Sequence, residues 1–368
     1  MQKILLLSGL LLFIGCVPKD TVETLPNIEN TEGSNTNDLL NPPGIDSEVL
    51  FLDRSKRQLL AYFDELVKNE QLIVGQHCGN GPDDMTTYYN RYVDMLADIS
   101  GRHVGLMGAD LGFFPSSDYP VQSLIDHWNQ GGLVTLSWHA DNPFVEGYNV
   151  YWNTVENKGK INLKSLLKGE VQTKAWINYR TELDQIAGAL QKLQDAGVTV
   201  IWRPFHEMNG DFFWWGINAY NNQQTNEADF IALWRDLYHT LTFDYGLDNL
   251  IWVYSVIPYQ YWNAEVTTFY PGNEVVDLVG MDFYGSSPDF PDYKALKSLG
   301  KTLVLSESGP LEDGYGNWNM MQWADMLKGK AAYFLQWHSW SGAEVAIIDN
   351  ANAVEMMNST IVITRDEL

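Results

Sequence analysis

Two glutamates stand where a pair of carboxylates could do chemistry together. Glu207 follows the apolar run Val198–Trp202 by way of Arg203-Pro204-Phe205-His206, and Glu307 follows the run Thr302–Leu305 and Ser306. Glycosidic hydrolysis needs such a pair: one protonated acid for the leaving oxygen, and a second carboxylate that attacks the anomeric carbon or activates water. The chain carries 47 acidic residues, so any one glutamate is by default a solvated side chain. Position just past an apolar run, beside histidine and aromatic neighbours, singles out these two.

The surrounding pattern says what must hold them. Amphipathic helical stretches alternate with short apolar runs from Ser47 onward, as in repeated βα units around a parallel sheet. One helix shows Leu183, Ile186, Ala187, Leu190 and Leu193 on a single face and stops at Gly197, a residue favoured just past a helix end. Eight runs read as buried strands: 72–75, 103–107, 133–137, 198–202, 250–254, 275–280, 302–305 and 331–335. Polar or aromatic groups follow every one of them, namely Gln76-His77, Asp110, Trp138-His139, His206-Glu207, Ser255, Asp282 with Tyr284, Glu307, and Trp337-His338. Eight strands close an α/β barrel, whose active sites sit at the C-terminal ends of the strands. The expected architecture is therefore a single (β/α)8 TIM barrel. Its fourth and seventh strand tips face each other across the mouth, and Arg203 neutralises a carboxylate inside it.

Charge and composition narrow the substrate. A net charge of -24 repels phosphate backbones and acidic polymers, so nucleic acid is excluded as a partner and a neutral polymer fits. The 14 tryptophans and 19 tyrosines supply flat rings for a sugar groove as well as for the core. Lys3 and the apolar run Ile4–Ile14 are too short to span a bilayer and read as a signal peptide. The run ends Phe13-Ile14-Gly15-Cys16, which resembles a bacterial lipobox with Phe13 in place of the usual Leu. Residues 17–45, rich in Asn, Thr, Glu and Pro, read as a flexible tether. The expected organisation is a signal and lipobox over 1–16, a tether over 17–45 and a catalytic domain over 46–368. Cys16 would carry the lipid, anchoring the chain to the outer membrane of a Gram-negative cell envelope on its periplasmic or surface face.

The segment His206-Glu207-Met208-Asn209-Gly210-Asp211-Phe212-Phe213-Trp214-Trp215-Gly216 resembles the acid/base segment of glycoside hydrolase family 26, the β-mannanases. Ser306-Glu307-Ser308-Gly309 resembles that family's nucleophile strand. Gly75-Gln76-His77, Ser137-Trp138-His139, Asp282-Phe283-Tyr284 and Trp337 extend the likeness over roughly residues 47–360. The resemblance implies a retaining glycoside hydrolase that cleaves β-1,4-mannosidic linkages in mannan, galactomannan or glucomannan without metal or cofactor. It makes Glu207 the acid/base and Glu307 the nucleophile. His206 would bond near the reacting centre, Tyr284 would orient Glu307, His139 would bind a sugar hydroxyl, and Trp337 would support the ring being cleaved. Phe212, Trp215, His77 and Asp110 would complete the substrate site. Phe212 stands where the family often has Trp, which removes an indole donor on the leaving side.

Other readings stay open on the sequence. The same chemistry serves mixed-linkage β-glucan or β-1,3-xylan. A barrel hydrolase could instead hold a metal on His77, Asp110, His139 and His206, and a non-catalytic glycan-binding lipoprotein would keep the aromatic rings and the anchor. The stretch 140–175 could block one end of a groove and so decide between endo and exo attack. The domain is expected to be a monomer.

Overall fold

The computed structural model of the protein describes residues 54–112, 119–151, 159–217 and 226–368. Expectations that fall on residues 1–45, including the signal, the tether and lipidation of Cys16, lie outside the described residues.

Eight parallel strands close into a barrel: β1 (Leu72–His77), β2 (Leu106–Asp110), β3 (Leu133–Trp138), β4 (Val200–Pro204), β5 (Leu250–Val256), β6 (Leu278–Gly285), β7 (Thr302–Pro310) and β8 (Tyr333–Gln336). Pairing of β1 with both β8 and β2 shuts the ring. The (β/α)8 reading holds, because near-continuous apolar runs belong to strands covered on both faces, and here every residue of β1 to β5 is buried.

The amphipathic helix read from sequence is Lys174–Asp195, which buries Leu183, Ile186, Ala187, Leu190 and Leu193 against the barrel. The Thr173 side chain caps its first turn by accepting from Trp176 N, and Gly197 follows its end at φ +75°. At the start of the described chain, the Arg54 guanidinium lies 3.9 Å over the Trp128 ring and donates to the carbonyls of Trp128 and Gly132.

Several strands sit further along the chain than expected, and hydrogen bonds say why. The run 103–107 was read as the second strand, but His103 gives its carbonyl to Arg365 N, so β2 begins only at Leu106. The run 275–280 starts in a turn closed by Val275 N to Gly272 O, and Asp277 spends its groups on Trp252. The sixth strand then continues to Gly285, carrying Asp282 and Tyr284 on it rather than after it. Glu307 likewise lies within β7. A ninth strand, Val362–Ile363, went unread; it pairs parallel with Leu72 and Ile73 of β1.

Candidate active site

The last residue of β4 is Pro204, and beyond it the backbone turns sharply. Phe205 has φ +47° and Glu207 φ +57°, in the left-handed region that side chains other than glycine seldom occupy. Each costs on the order of 1 kcal/mol or more and survives only when the surroundings fix it. Here they do. Glu207 N donates to Ser255 O at 2.9 Å on the neighbouring β5, and Trp215 Nε1 donates to His206 O at 2.8 Å. Asn209 exchanges two bonds with the backbone of Ile257, and Trp214 Nε1 donates to Ala140 O. The run Asn209–Gly216 thus folds back as a clamp whose buried rings hold Glu207 at the barrel mouth.

Glu307 is 5% exposed and its two oxygens have different partners. Arg203 of β4 donates to Oε1 at 2.5 Å, and the Tyr284 hydroxyl of β6 donates to Oε2 at 2.9 Å. Arg203 also donates to Asp282 Oδ2 at 2.9 Å. Ser255 Oγ donates to Asp282 Oδ1 and lies 2.5 Å from Ser306 Oγ. This serine pair approaches Gly280 of β6 so closely that a Cβ there would collide with Ser306 Oγ, which is why the strand carries glycine two residues before Asp282.

Three buried carboxyl groups therefore share one guanidinium. Burial raises the pKa of Asp282 to about 7 against the pull of Arg203. Glu207 rises well above the carboxylate range through burial, then through the nearby Asp282 and Glu307 charges, with Arg203 opposing weakly. No described residue hydrogen-bonds to the Glu207 carboxyl. Glu207 is thus built to keep a proton and Glu307 is built to be held in place by two donors, a separation of roles between identical side chains. Arg203 itself is pushed further up by the two carboxylates it bridges.

Behind Glu207 runs a chain of histidines. Asp110 Oδ2 lies 2.6 Å from His139 Nδ1, and His139 Nε2 lies 3.0 Å from His206 Nε2. Burial works to raise Asp110, but His139, Ser137 and Gly112 N outweigh it and leave its pKa below the usual value. With its Nδ1 turned to the Asp110 carboxylate, His139 presents its Nε2 to His206 Nε2. The same His206 nitrogen lies 3.8 Å from Glu307 Oε1. Burial, Arg203 and His139 lower His206 well below the usual histidine value, keeping its ring neutral.

The expected substrate residues divide. Tyr284, Trp337 and Phe212 keep partial exposure, and Trp337 stacks on His77 with ring centroids 3.7 Å apart, whereas His139 is buried with both ring nitrogens turned to Asp110 and His206. Trp215, His77 and Asp110 are corrected: each is fully buried. Trp215 is committed to His206 O, Asp110 to His139, and His77 Nδ1 to His338 Nδ1 at 2.8 Å, so they position the site instead of lining it. His206 is also fully buried and acts from behind Glu307. The metal arrangement on His77, Asp110, His139 and His206 fails on geometry, since among the described residues these four do not converge on one point: Asp110 and His206 are bonded to His139, and His77 to His338. His206, Asp282 and Glu307 do bring ligand-type atoms within 4.8 Å of one another, but Arg203 already bonds both carboxylates and supplies the positive charge.

Sequence reasoning left Tyr261 and Trp262 unmarked. They follow β5 on the short helix Tyr259–Trp262, where Tyr261 donates to Tyr284 O and Trp262 packs against Phe212 with centroids 6.0 Å apart. The aromatic pair Tyr261-Trp262 just after a strand tip was the available signal.

A parallel eight-stranded barrel with one buried glutamate just past β4 and one guanidinium-held glutamate on β7 has the pair of carboxyl groups that glycosidic hydrolysis requires. The family model for glycosyl hydrolase family 26 matches residues 53–367, and the chain belongs to that family. It is 32% identical over 319 residues to mannan endo-1,4-beta-mannosidase A and B of Caldalkalibacillus mannanilyticus, covering 82% of this chain and 58% of that protein. It is 34% identical over 227 residues to the mannan endo-1,4-beta-mannosidase of Bacillus subtilis strain 168, covering 60% of each. The chain thus spans about 60% of the length of these relatives. Among solved structures, the Bacillus subtilis mannanase BCman superposes with a TM-score of 0.72 at 26% identity, over 85% of this chain and 94% of that one.

Proposed function

We propose that the protein hydrolyses β-1,4-mannosidic linkages in mannan, galactomannan or glucomannan with retention of configuration. Glu307 attacks the anomeric carbon and forms a glycosyl ester while Glu207 gives its proton to the leaving oxygen. Glu207 then takes a proton from the water that cleaves the ester. The observation that carries this reading is the contrast between the two carboxyls: Glu307 held by Arg203 and Tyr284, Glu207 buried without a hydrogen-bond partner among the described residues and shifted up. Likeness to mannan endo-1,4-beta-mannosidases supports mannan as the polymer.

The post-β4 segment is bridged to Tyr151 by an antiparallel contact with Phe213. That bridge ties the start of the 140–175 stretch to the rim near the leaving side. Lys3, the run Ile4–Ile14 and Cys16 further support a lipid-anchored protein at the outer membrane, facing the periplasm or the medium.

The deciding experiment is sugar release from mannan, mixed-linkage β-glucan and β-1,3-xylan, with Glu207→Ala and Glu307→Ala run beside the wild type. The expected result is release from mannan alone, lost in both variants, with product lengths reporting endo or exo attack. Faster release from β-glucan or xylan would move the substrate while keeping the mechanism, and inertness on all three would reject the reading.

A further inference from the structure

No described residue hydrogen-bonds to the Glu207 carboxyl, so the place of that carboxyl is set through its backbone and the clamp 209–216 that follows it. The clamp is in turn held by the segment after β3. Trp214 Nε1 donates to Ala140 O at 2.9 Å, and Trp214 N donates to Val150 O at 3.3 Å. Phe213 pairs with Tyr151 in an isolated antiparallel bridge, and the two rings stack at 5.7 Å and 16°. The Phe213 ring also meets the His139 and His206 rings edge to face, at 5.1 and 5.4 Å. A shift of residues 140–151 would therefore be felt at the acid.

That segment closes on itself by short polar side chains. Asn142 N donates to Asn149 O at 2.7 Å, Asn149 N to Asp141 Oδ1 at 2.6 Å, and Tyr151 N to Asn149 Oδ1 at 2.9 Å. Asx side chains bonding nearby backbone give such a loop a fixed shape without a sheet. Its attachment comes from outside the barrel, on the helix Lys174–Asp195. Glu182 of that helix accepts from Trp138 Nε1 at 2.8 Å on Oε1, and from Asp141 N at 3.2 and 3.1 Å on its two oxygens. Asn178, one turn earlier, donates to Pro143 O at 3.2 Å. A glutamate on an amphipathic helix ordinarily faces water. Glu182 instead is partly buried and turned to the tip of β3, where Trp138 is the last strand residue and His139 the next.

Hydrogen bonds to an ionised acceptor are the stronger kind, and these make one path: Glu182 to Asp141, across the closed loop to Val150 and Tyr151, and on to Trp214 and Phe213 of the clamp. Without the Glu182 carboxyl, Asp141 N and Trp138 Nε1 lose their acceptor and the loop loses its main tie to the helix. Proton transfer is intolerant of small displacements of the acid. Glu307 is held independently, by Arg203 of β4 and Tyr284 of β6. Resting on the functional reading above, we propose that Glu182 is a positioning residue for Glu207, acting through residues 140–151 and never on the sugar. Its loss should disturb the acid and spare the nucleophile.

The test separates the two glutamates by leaving group. Mannohexaose needs the Glu207 proton for departure, whereas a manno-oligosaccharide with a dinitrophenyl leaving group does not, so its kcat/KM reports attack by Glu307. Glu182→Ala is expected to lower kcat/KM on mannohexaose about tenfold or more, and to leave kcat/KM on the aryl substrate within about twofold of wild type. Glu182→Gln keeps an acceptor oxygen for Trp138 and Asp141 and is expected to recover most of the loss. Trp138→Phe keeps the ring stacked on Tyr179 and removes one donor; it is expected to show the same selectivity in smaller measure. Circular dichroism and melting temperatures check folding, and Trp138→Phe decides the matter should Glu182→Ala fail to fold. Equal losses on both substrates, or none on either, would overturn the role of Glu182 while leaving the functional reading intact. A wild type inert on both substrates would overturn that reading, and the positioning role with it.

Discussion

Arg203 holds Glu307 by a 2.5 Å bond from β4 to β7 across the inside of the barrel, and the same guanidinium reaches Asp282 on β6. One cation thus fixes the attacking carboxylate and offsets a second buried acid, with its planar fork spanning both. Arg203→Lys keeps the charge but cannot bridge two carboxylates; it is expected to lower kcat on mannan at least 100-fold. Arg203→Met leaves two buried acids uncompensated and is expected to cost about 3–5 kcal/mol of stability. Chemical denaturation and steady-state kinetics measure the two effects, and a lysine variant as fast as wild type would remove Arg203 from the mechanism.

The raised pKa of Glu207 sets the alkaline limb of activity. Its protonated form is the working acid, so kcat/KM should fall as pH rises through that shifted value, above the ordinary carboxylate range. The same shift has a cost in the fold. Above the unfolded-state pKa the unfolded chain releases this proton before the native protein does, so stability is lost as pH climbs toward the folded value. Glu207→Gln, which cannot ionise, should therefore melt higher than wild type at pH 8 and differ little at pH 4, with mannan hydrolysis abolished. A melting difference independent of pH would contradict the shift.

Asp110 never reaches the sugar, yet its removal should be felt there. Asp110→Asn permits the opposite tautomer of His139 and so withdraws the acceptor for His206. The expected effect is roughly a tenfold or larger fall in kcat/KM with an altered pH profile. His139→Ala in the same background should add little, since both changes break one chain. Full additivity would show that Asp110 and His139 act separately.

His127 gives a stability signature distant from the site. It is fully buried with its Nδ1 at 3.0 Å from the Tyr89 hydroxyl, and burial pushes its pKa down to about 3. The unfolded chain takes up this proton near the usual value of 6.5. Its contribution is present above that pH and is lost as pH falls toward the folded value. The melting temperature of His127→Asn should decline less than that of wild type between pH 6.5 and 4; parallel declines would exclude the effect.

How much of this was written in the sequence differs by level. The barrel was legible because strands buried on both faces leave apolar runs, and Gly197 marks a helix end by local chemistry. Strand boundaries were not, since an apolar run such as His103–Met107 looks alike whether its carbonyls serve a sheet or, as for His103, a distant Arg365. Glu207, Glu307 and Arg203 were legible from their places at strand tips. The division of the other residues was not: Trp215, His77 and Asp110 have the residue types of sugar contacts, and only tertiary packing turned them inward to hold His206, His338 and His139.

The most direct test of the central claim is peptide mass mapping of Glu207→Ala after exposure to a manno-oligosaccharide with an activated aryl leaving group, which departs without needing the acid. The account expects a glycosyl adduct on the peptide bearing Glu307, accumulating because water attack lacks its base, and discharged by azide. No adduct, or one on any other residue, would contradict the assignment of Glu307 as nucleophile and Glu207 as its acid/base partner.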